Sequence, residues 1–383
     1  MIKIKSIIAI FVIALLSACN TDIKPLEESV VDLNSNRIQV GVFNGNGAGA
    51  ISVIETIEAL RIDTGINAFA ISAVDIQKGG LDKLDVFVFP GGSGSKQLNN
   101  LGQSGKDKIL DFVRIQGKGI VGICAGAYLL SSTAGYPSIA LASSIHIDRK
   151  HYNRGRGLVQ FALTEQGIAI FPELKETSLF VQYYDGPVLS QTDSIKSKYN
   201  EVATFVSDIH PDNYAPKGIT PGQTFSLNEN IGNGKLFIFA GHPESTPGMR
   251  WLVPRMVRWV ASADLISYDQ KWIRPEINTN EILFDRELRK QEKKLFWQLY
   301  SENTEEVLAS MNELNAMRSR PAVRWNIGLL RHTNAEIRSN AALLIAETEY
   351  TYALADVEQA YSTEQDSTAK YSMKLAIKKL LIL

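Results

Sequence analysis

Residues Gly119 to Gly126 read Gly-Ile-Val-Gly-Ile-Cys-Ala-Gly, a short apolar run that ends on a cysteine held between glycines. Such a run suits a strand covered on both faces, because a strand with one wet face would alternate apolar with polar residues. Arg37 to Phe43, Ile66 to Ile71, Leu84 to Phe89 and Lys235 to Ala240 have the same character. Between them lie segments with helical spacing, such as Ile51, Ile54, Ile57 and Leu60, and the stretch from Lys106 to Arg114. This alternation predicts an α/β domain whose parallel sheet carries helices on both faces. In that architecture the active groups gather at the carboxyl ends of the strands. Those ends carry the loop from Asn44 to Gly49, the turn Pro90-Gly91-Gly92-Ser93-Gly94, Cys124 itself, and Gly241-His242-Pro243-Glu244.

A thiol on a strand-to-helix turn is held out from the backbone, and the helix N-terminus behind it favours the thiolate. Gly122 and Gly126 give so tight a turn the room it needs. A nucleophile also requires a base and a group to orient that base. His242 and Glu244, two positions apart beyond a strand, suit those roles. The N–H of Ala125, with one from Gly91 or Gly92, is the expected oxyanion hole. Singly these signals are weak, since Gly-x-Cys-x-Gly and His-x-Glu both arise often by chance. Their order and settings make the set specific.

On these residues the chain resembles the class I glutamine amidotransferase-like superfamily, and more closely the biotin-protein ligase N-terminal domain family. The closer resemblance covers about residues 36 to 262. It rests on the Asn-Gly loop after the first strand, Phe-Pro-Gly-Gly, Gly-Ile-Cys-Ala-Gly-Ala-Tyr, Tyr183 to Pro187 and Gly-His-Pro-Glu. It implies a flavodoxin-like sheet, a Cys124–His242–Glu244 triad and cleft positions for Tyr184 and Asp185. Asn44 and Gly45, after a central strand, are expected to face substrate, although a plain tight turn accounts for them nearly as well. Tyr128 stands where glutamine amidotransferases usually carry a glutamine that helps hold their substrate, so glutamine is not the expected substrate. Neither a synthase domain nor a ligase catalytic domain is evident. Arg154-Gly155-Arg156-Gly157 looks like a fragment of the ligase loop but lacks its surroundings, so it is read as a turn and biotin ligation is not expected.

Two readings of function follow. One is a cysteine-dependent hydrolase acting on an amide or related carbonyl; the other is a binding module that keeps the cleft but turns little over. No cofactor or metal is expected, because His146, His151 and His210 share no ligand spacing with a cysteine or a carboxylate pair. Forty basic against 41 acidic side chains leave no basic field for nucleic acid.

The chain ends suggest location and accessories. Lys3 and Lys5 precede an apolar stretch of about ten residues, too short to span a bilayer, which suits a signal peptide. Leu16-Ser17-Ala18-Cys19 resembles a bacterial lipobox, which makes Cys19 the expected lipidation site and 1–18 the leader. Asn20, in place of Asp, favours the outer membrane, facing the periplasm. Residues 19–35 read as a flexible tether, 36–265 as the amidotransferase-like domain, 266–303 as a connecting segment with a helix, and 304–383 as an all-α domain. In that last part Ile337-Arg338 with Leu343 and Ile345 recurs as Ala369-Lys370 with Leu375 and Ile377. The 32-residue spacing resembles HEAT-like repeats, and a plain bundle fits as well. Such a piece would engage a protein partner or cover one side of the main domain.

Overall fold

Five strands lie side by side and parallel in a computed structural model that describes residues 36–191 and 199–383. Cys19, the leader and the tether fall outside the described residues. In chain order the first half comprises β1 (Ile38–Phe43), α1 (Ala50–Leu60), β2 (Ile66–Ile71), α2 (Ala73–Gln77), β3 (Val86–Phe89), α3 (Gly94–Arg114), β4 (Gly119–Ile123) and α4 (Ala125–Leu130). The second half comprises β5 (Ile145–His146), β6 (Arg156–Leu163), α5 (Glu165–Ile170), β7 (Leu179–Tyr184), β8 (Leu189–Ser190), β9 (Asn200–Phe205), β10 (Thr224–Ile231), β11 (Gly234–Phe239) and α6 (Leu252–Val260). The parallel strands are ordered β2-β1-β3-β4-β11.

The sheet as a whole is mixed, not parallel throughout. Beyond β11 it continues through β10, β9 and β6, all paired antiparallel. The change has a local cause. Only Gly232 and Asn233 separate β10 from β11, and a two-residue connection can join only antiparallel neighbours. Gly232 takes the positive φ of 59° that such a turn requires.

Away from the edge strand β2, both faces of the parallel part are dry. Val40, Val42, Val88 and Val121 pack with Val53 and Leu60 of α1 and Val257 of α6. On the other face Phe43, Phe87, Phe89 and Ile120 pack with Ile109 and Phe112 of α3 and Leu129 of α4. This two-sided burial is why β3 and β4 carry no polar side chain and β1, β2 and β11 carry one each.

After α6 the chain returns to the sheet edge, where β12 (Ile282–Leu283) pairs with β6. A helical region follows: α7 (Arg286–Gln298), α8 (Thr304–Ala316), α9 (Ala322–Leu329), α10 (Ala335–Glu347), α11 (Leu354–Thr363) and α12 (Ser367–Ile382). Asp285, Asn303, Asn334 and Asp366 cap four of these helices, each side chain accepting from backbone N–H groups of the first turn. The region has its own core around Val307, Ile337, Ile345 and Met373. Arg37–Leu383 nevertheless form one compact unit. No described helix is long and apolar enough to cross a membrane.

Candidate active site

Cys124 sits between β4 and α4 with φ 50° and ψ −100°, a conformation that L-residues rarely adopt. Its N–H donates to the Phe239 carbonyl of β11, so the sheet itself holds the turn. A Cβ on Gly126 would come within 2.3 Å of the Phe89 carbonyl oxygen, so only glycine lets the turn lie against β3. The sulfur lies at the floor of a cleft of about 930 Å³.

His242 and Glu244 follow β11, the strand beside β4, and both are buried. His242 Nδ1 is 2.7 Å from Glu244 Oε1. That contact places the imidazole proton on Nδ1. Burial alone would lower the His242 pKa. Its neighbours Cys124 and Glu244 outweigh both burial and the opposing Arg320, and push it up to about 9. Burial would raise the Glu244 pKa, but His242, Arg320 and a hydrogen bond from Ser52 hold it below the usual carboxylate range. Ser52 Oγ donates to Glu244 Oε1 at 2.8 Å and accepts from the Gly91 N–H at 3.0 Å.

That second bond separates the two candidates for the oxyanion hole. The Gly91 N–H is committed to Ser52, whereas the N–H groups of Gly92 and Ala125 make no hydrogen bond to the described residues. Gly91 acts sterically instead. A Cβ there would come within 2.6 Å of His242 Cε1.

The other expected cleft residues divide. Tyr128, Tyr184 and Asp185 line the cleft. Tyr128 donates its hydroxyl to the Asp185 carbonyl at 3.1 Å, and the Tyr184 carbonyl lies 3.3 Å from Cys124 Sγ. Asp185 accepts the Gly155 N–H at 3.0 Å, and burial raises its pKa. Asn44 and Gly45 are not brought to the cleft; the same loop reaches it only from Gly49 onward. Phe43 and the Asn100 side chain occupy the space beside Gly45.

Sequence reasoning missed several residues that complete the site. Ser52 reaches it from α1, and Tyr136, Arg149 and Tyr152 reach it from the loops between α4 and β6. Tyr136, Tyr152 and Tyr128 surround His146, whose pKa burial lowers to about 4. Arg320 and Arg324 come from the helical region. Arg320 Nη2 pairs with Glu55 at 2.5 Å and lies 3.7 Å from Glu244 Oε1, and its guanidinium sits 5.9 Å from the Tyr184 ring. The Ser52 signal was a helix opening directly after a strand-end loop. Arg320 gave none, because it stands 76 positions beyond Glu244 in the chain.

Arg154 and Arg156, the isolated ligase-like fragment, have structural partners. Arg154 is buried against Asp148 and the Ile209 carbonyl. Arg156 pairs with Glu292 of α7 at 3.0 Å.

Residues 38–258 match the family model for the biotin-protein ligase N-terminal domain. The chain belongs to the biotin-protein ligase N-terminal family. No curated protein matches it. Among solved structures it is similar to the β-galactosidase of Bacillus circulans sp. alkalophilus, at 14% identity and a TM-score of 0.36 over 64% of this chain and 33% of that one. It thus spans about a third of that enzyme. A protein of Bacteroides uniformis described as ThuA-like is 15% identical with a TM-score of 0.43, over 60% of this chain and 94% of the other. A cytoplasmic protein from Salmonella typhimurium is 14% identical with a TM-score of 0.38, over 61% and 100%. Likenesses this distant say nothing about the activity of this family member.

Proposed function

We propose that the protein is a cysteine-dependent hydrolase of amides or related carbonyl compounds, built on a flavodoxin-like, amidotransferase-type sheet. The observation that carries this reading is the buried Glu244–His242 pair, 2.7 Å apart, beside a cysteine on a strained turn at the floor of a cleft. In this scheme His242 already holds the Cys124 proton, and the sulfur attacks the carbonyl carbon as the thiolate. The developing oxyanion takes hydrogen bonds from the Gly92 and Ala125 N–H groups. The amine leaves with the proton from His242, and a thioester remains. His242 then deprotonates water, which adds to the thioester, so that amide plus water yields acid plus amine and the free thiolate returns. Biotin ligation forms no part of the scheme.

The lipobox at Cys19 supports a lipid-anchored protein of the bacterial envelope, placed by Asn20 at the outer membrane and facing the periplasm. The 32-residue recurrence supports a HEAT-like ancestry for the helical region.

The rival reading, a cleft that binds without turnover, draws on one contact. Cys124 Sγ lies 3.3 Å from the Tyr184 carbonyl oxygen, an arrangement that suits S–H and not S⁻. The rate of Cys124 alkylation by iodoacetamide against pH separates the two. A thiol that reacts well below pH 8 and slows when His242 becomes alanine supports the hydrolase. One that is inert, or indifferent to His242, supports the binding module.

A further inference from the structure

The cleft is lined by three arginines and a single carboxylate. Asp185, the carboxylate, is occupied by the Gly155 N–H. Arg149 donates to the neutral carbonyls of Ala134 and Gly135 at 2.8 and 2.9 Å, which leaves its charge uncompensated. The Arg324 side chain makes no hydrogen bond or ion pair among the described residues, and the residue is exposed. Arg320 commits Nε and Nη2 to Glu55. Its Nη1 faces His242 Nδ1 at 3.5 Å, but that nitrogen already carries the proton donated to Glu244, so Nη1 has no acceptor there. The wall beside Cys124 therefore presents positive charge that the cleft's own carboxylate does not offset, two of the three arginines coming from the helical region.

We propose that the natural substrates carry a carboxylate near the reacting carbonyl, and that Arg324 and Arg149, supported by Arg320 Nη1, bind that carboxylate. Guanidinium groups suit this task because their planar N–H pairs match the two oxygens of a carboxylate. The tyrosines at 128, 136 and 152 line the same cleft and offer apolar faces to the carbon skeleton. The helical region is on this view a specificity element of the enzyme and not only an outer attachment. The inference rests on the cysteine reading for what the substrate undergoes, but not for what the cleft binds.

Iodoacetate and iodoacetamide alkylate thiolates by the same displacement and differ mainly in charge, so their rate ratio reports a preference for an anion. With the full-length protein, Cys124 should show a ratio about tenfold above that of glutathione under the same conditions, the size expected for a charge-assisted hydrogen bond. Arg324→Gln and Arg149→Gln should each lower that ratio several-fold, and added salt should lower it as well. A ratio equal to that of glutathione and unmoved by Arg324→Gln overturns the proposal. Binding supplies a readout independent of thiol chemistry. In Cys124→Ala, glutarate should bind by ligand-observed NMR where glutaramide does not, and Arg324→Gln should abolish that binding. Selective glutarate binding with an inert thiol would leave the carboxylate site standing and sink the hydrolase. Iodoacetamide reactivity that depends on His242, with no carboxylate preference in either measurement, would do the reverse.

Discussion

Cys124 holds a backbone conformation, φ 50° and ψ −100°, that glycine adopts freely and L-residues resist. Residues forced into sparsely populated regions store about 1–3 kcal/mol, and they persist where surrounding structure fixes them. Here the Phe239 carbonyl on one side and the close approach to β3 on the other do so. Cys124→Gly should therefore be more stable than Cys124→Ala by about 1 kcal/mol in chemical denaturation, the reverse of the order in an ordinary helix or strand. A second prediction concerns His242. Its folded pKa of about 9 lies above the ordinary 6.5, so the protonated ring stabilises the fold. That contribution is complete below about pH 6.5 and is lost as the pH rises through 9. Denaturation of wild type and His242→Ala from pH 6 to 10 should show the gap between them closing over this window. Glu244→Gln, by removing a negative charge beside the ring, should move the window down. Cys124, His242 and Glu244 were legible as residues because each stands in a short motif that one stretch of chain supplies. Ser52 and Arg320 were not, because a serine or an arginine acquires a role only from what folding brings beside it.

At the scale of elements, the turn after β3 lies against His242 and Ser52 through its backbone. Gly91 packs against the face of His242, and the added methyl of Gly91→Ala would overlap both His242 Cε1 and Ser52 Oγ, at 2.6 and 2.8 Å. That substitution should slow iodoacetamide alkylation of Cys124 by about tenfold or more through displacement of the imidazole, while far-UV circular dichroism stays that of the wild type. The parallel strands were legible because helices cover both faces and nearly every position is apolar. The antiparallel half was not. In β10 the buried positions include Ser226, Asn228 and Glu229, so the strand shows neither an apolar run nor a clean alternation. Those polar side chains are satisfied by tertiary partners, Ser226 by the Ile238 carbonyl and Glu229 by Ser143, which no local pattern announces. The Gly232-Asn233 turn was the one available signal for that half.

Across the whole molecule, charged pairs tie the helical region to the sheet domain. Arg320 pairs with Glu55, Arg156 with Glu292 and Arg274 with Glu349, while Gln182 donates to the Arg318 carbonyl at 3.0 Å and Arg250 to that of Glu349 at 2.7 Å. Breaking such a pair leaves a charge with little water, at a cost of about 3–5 kcal/mol, whereas removing both partners costs less. Arg320→Met should thus destabilise the whole protein by about 3 kcal/mol, and adding Glu55→Gln should restore part of the loss; strict additivity in the double-mutant cycle would contradict this coupling. Arg320→Met should also raise the pH at which His242 titrates, since the guanidinium opposes protonation of the ring.

Local sequence alone determined the parallel strands, the capped helices and the cysteine turn, because burial on both faces, helix caps and tight turns each impose their residue types within a few positions. The antiparallel half of the sheet, the commitment of the Gly91 N–H to Ser52, and the arrival of Arg320 and Arg324 beside Cys124 were decided only by the tertiary structure. These depend on pairings between residues far apart in the chain, where the chemistry of either partner alone is compatible with a solvated surface.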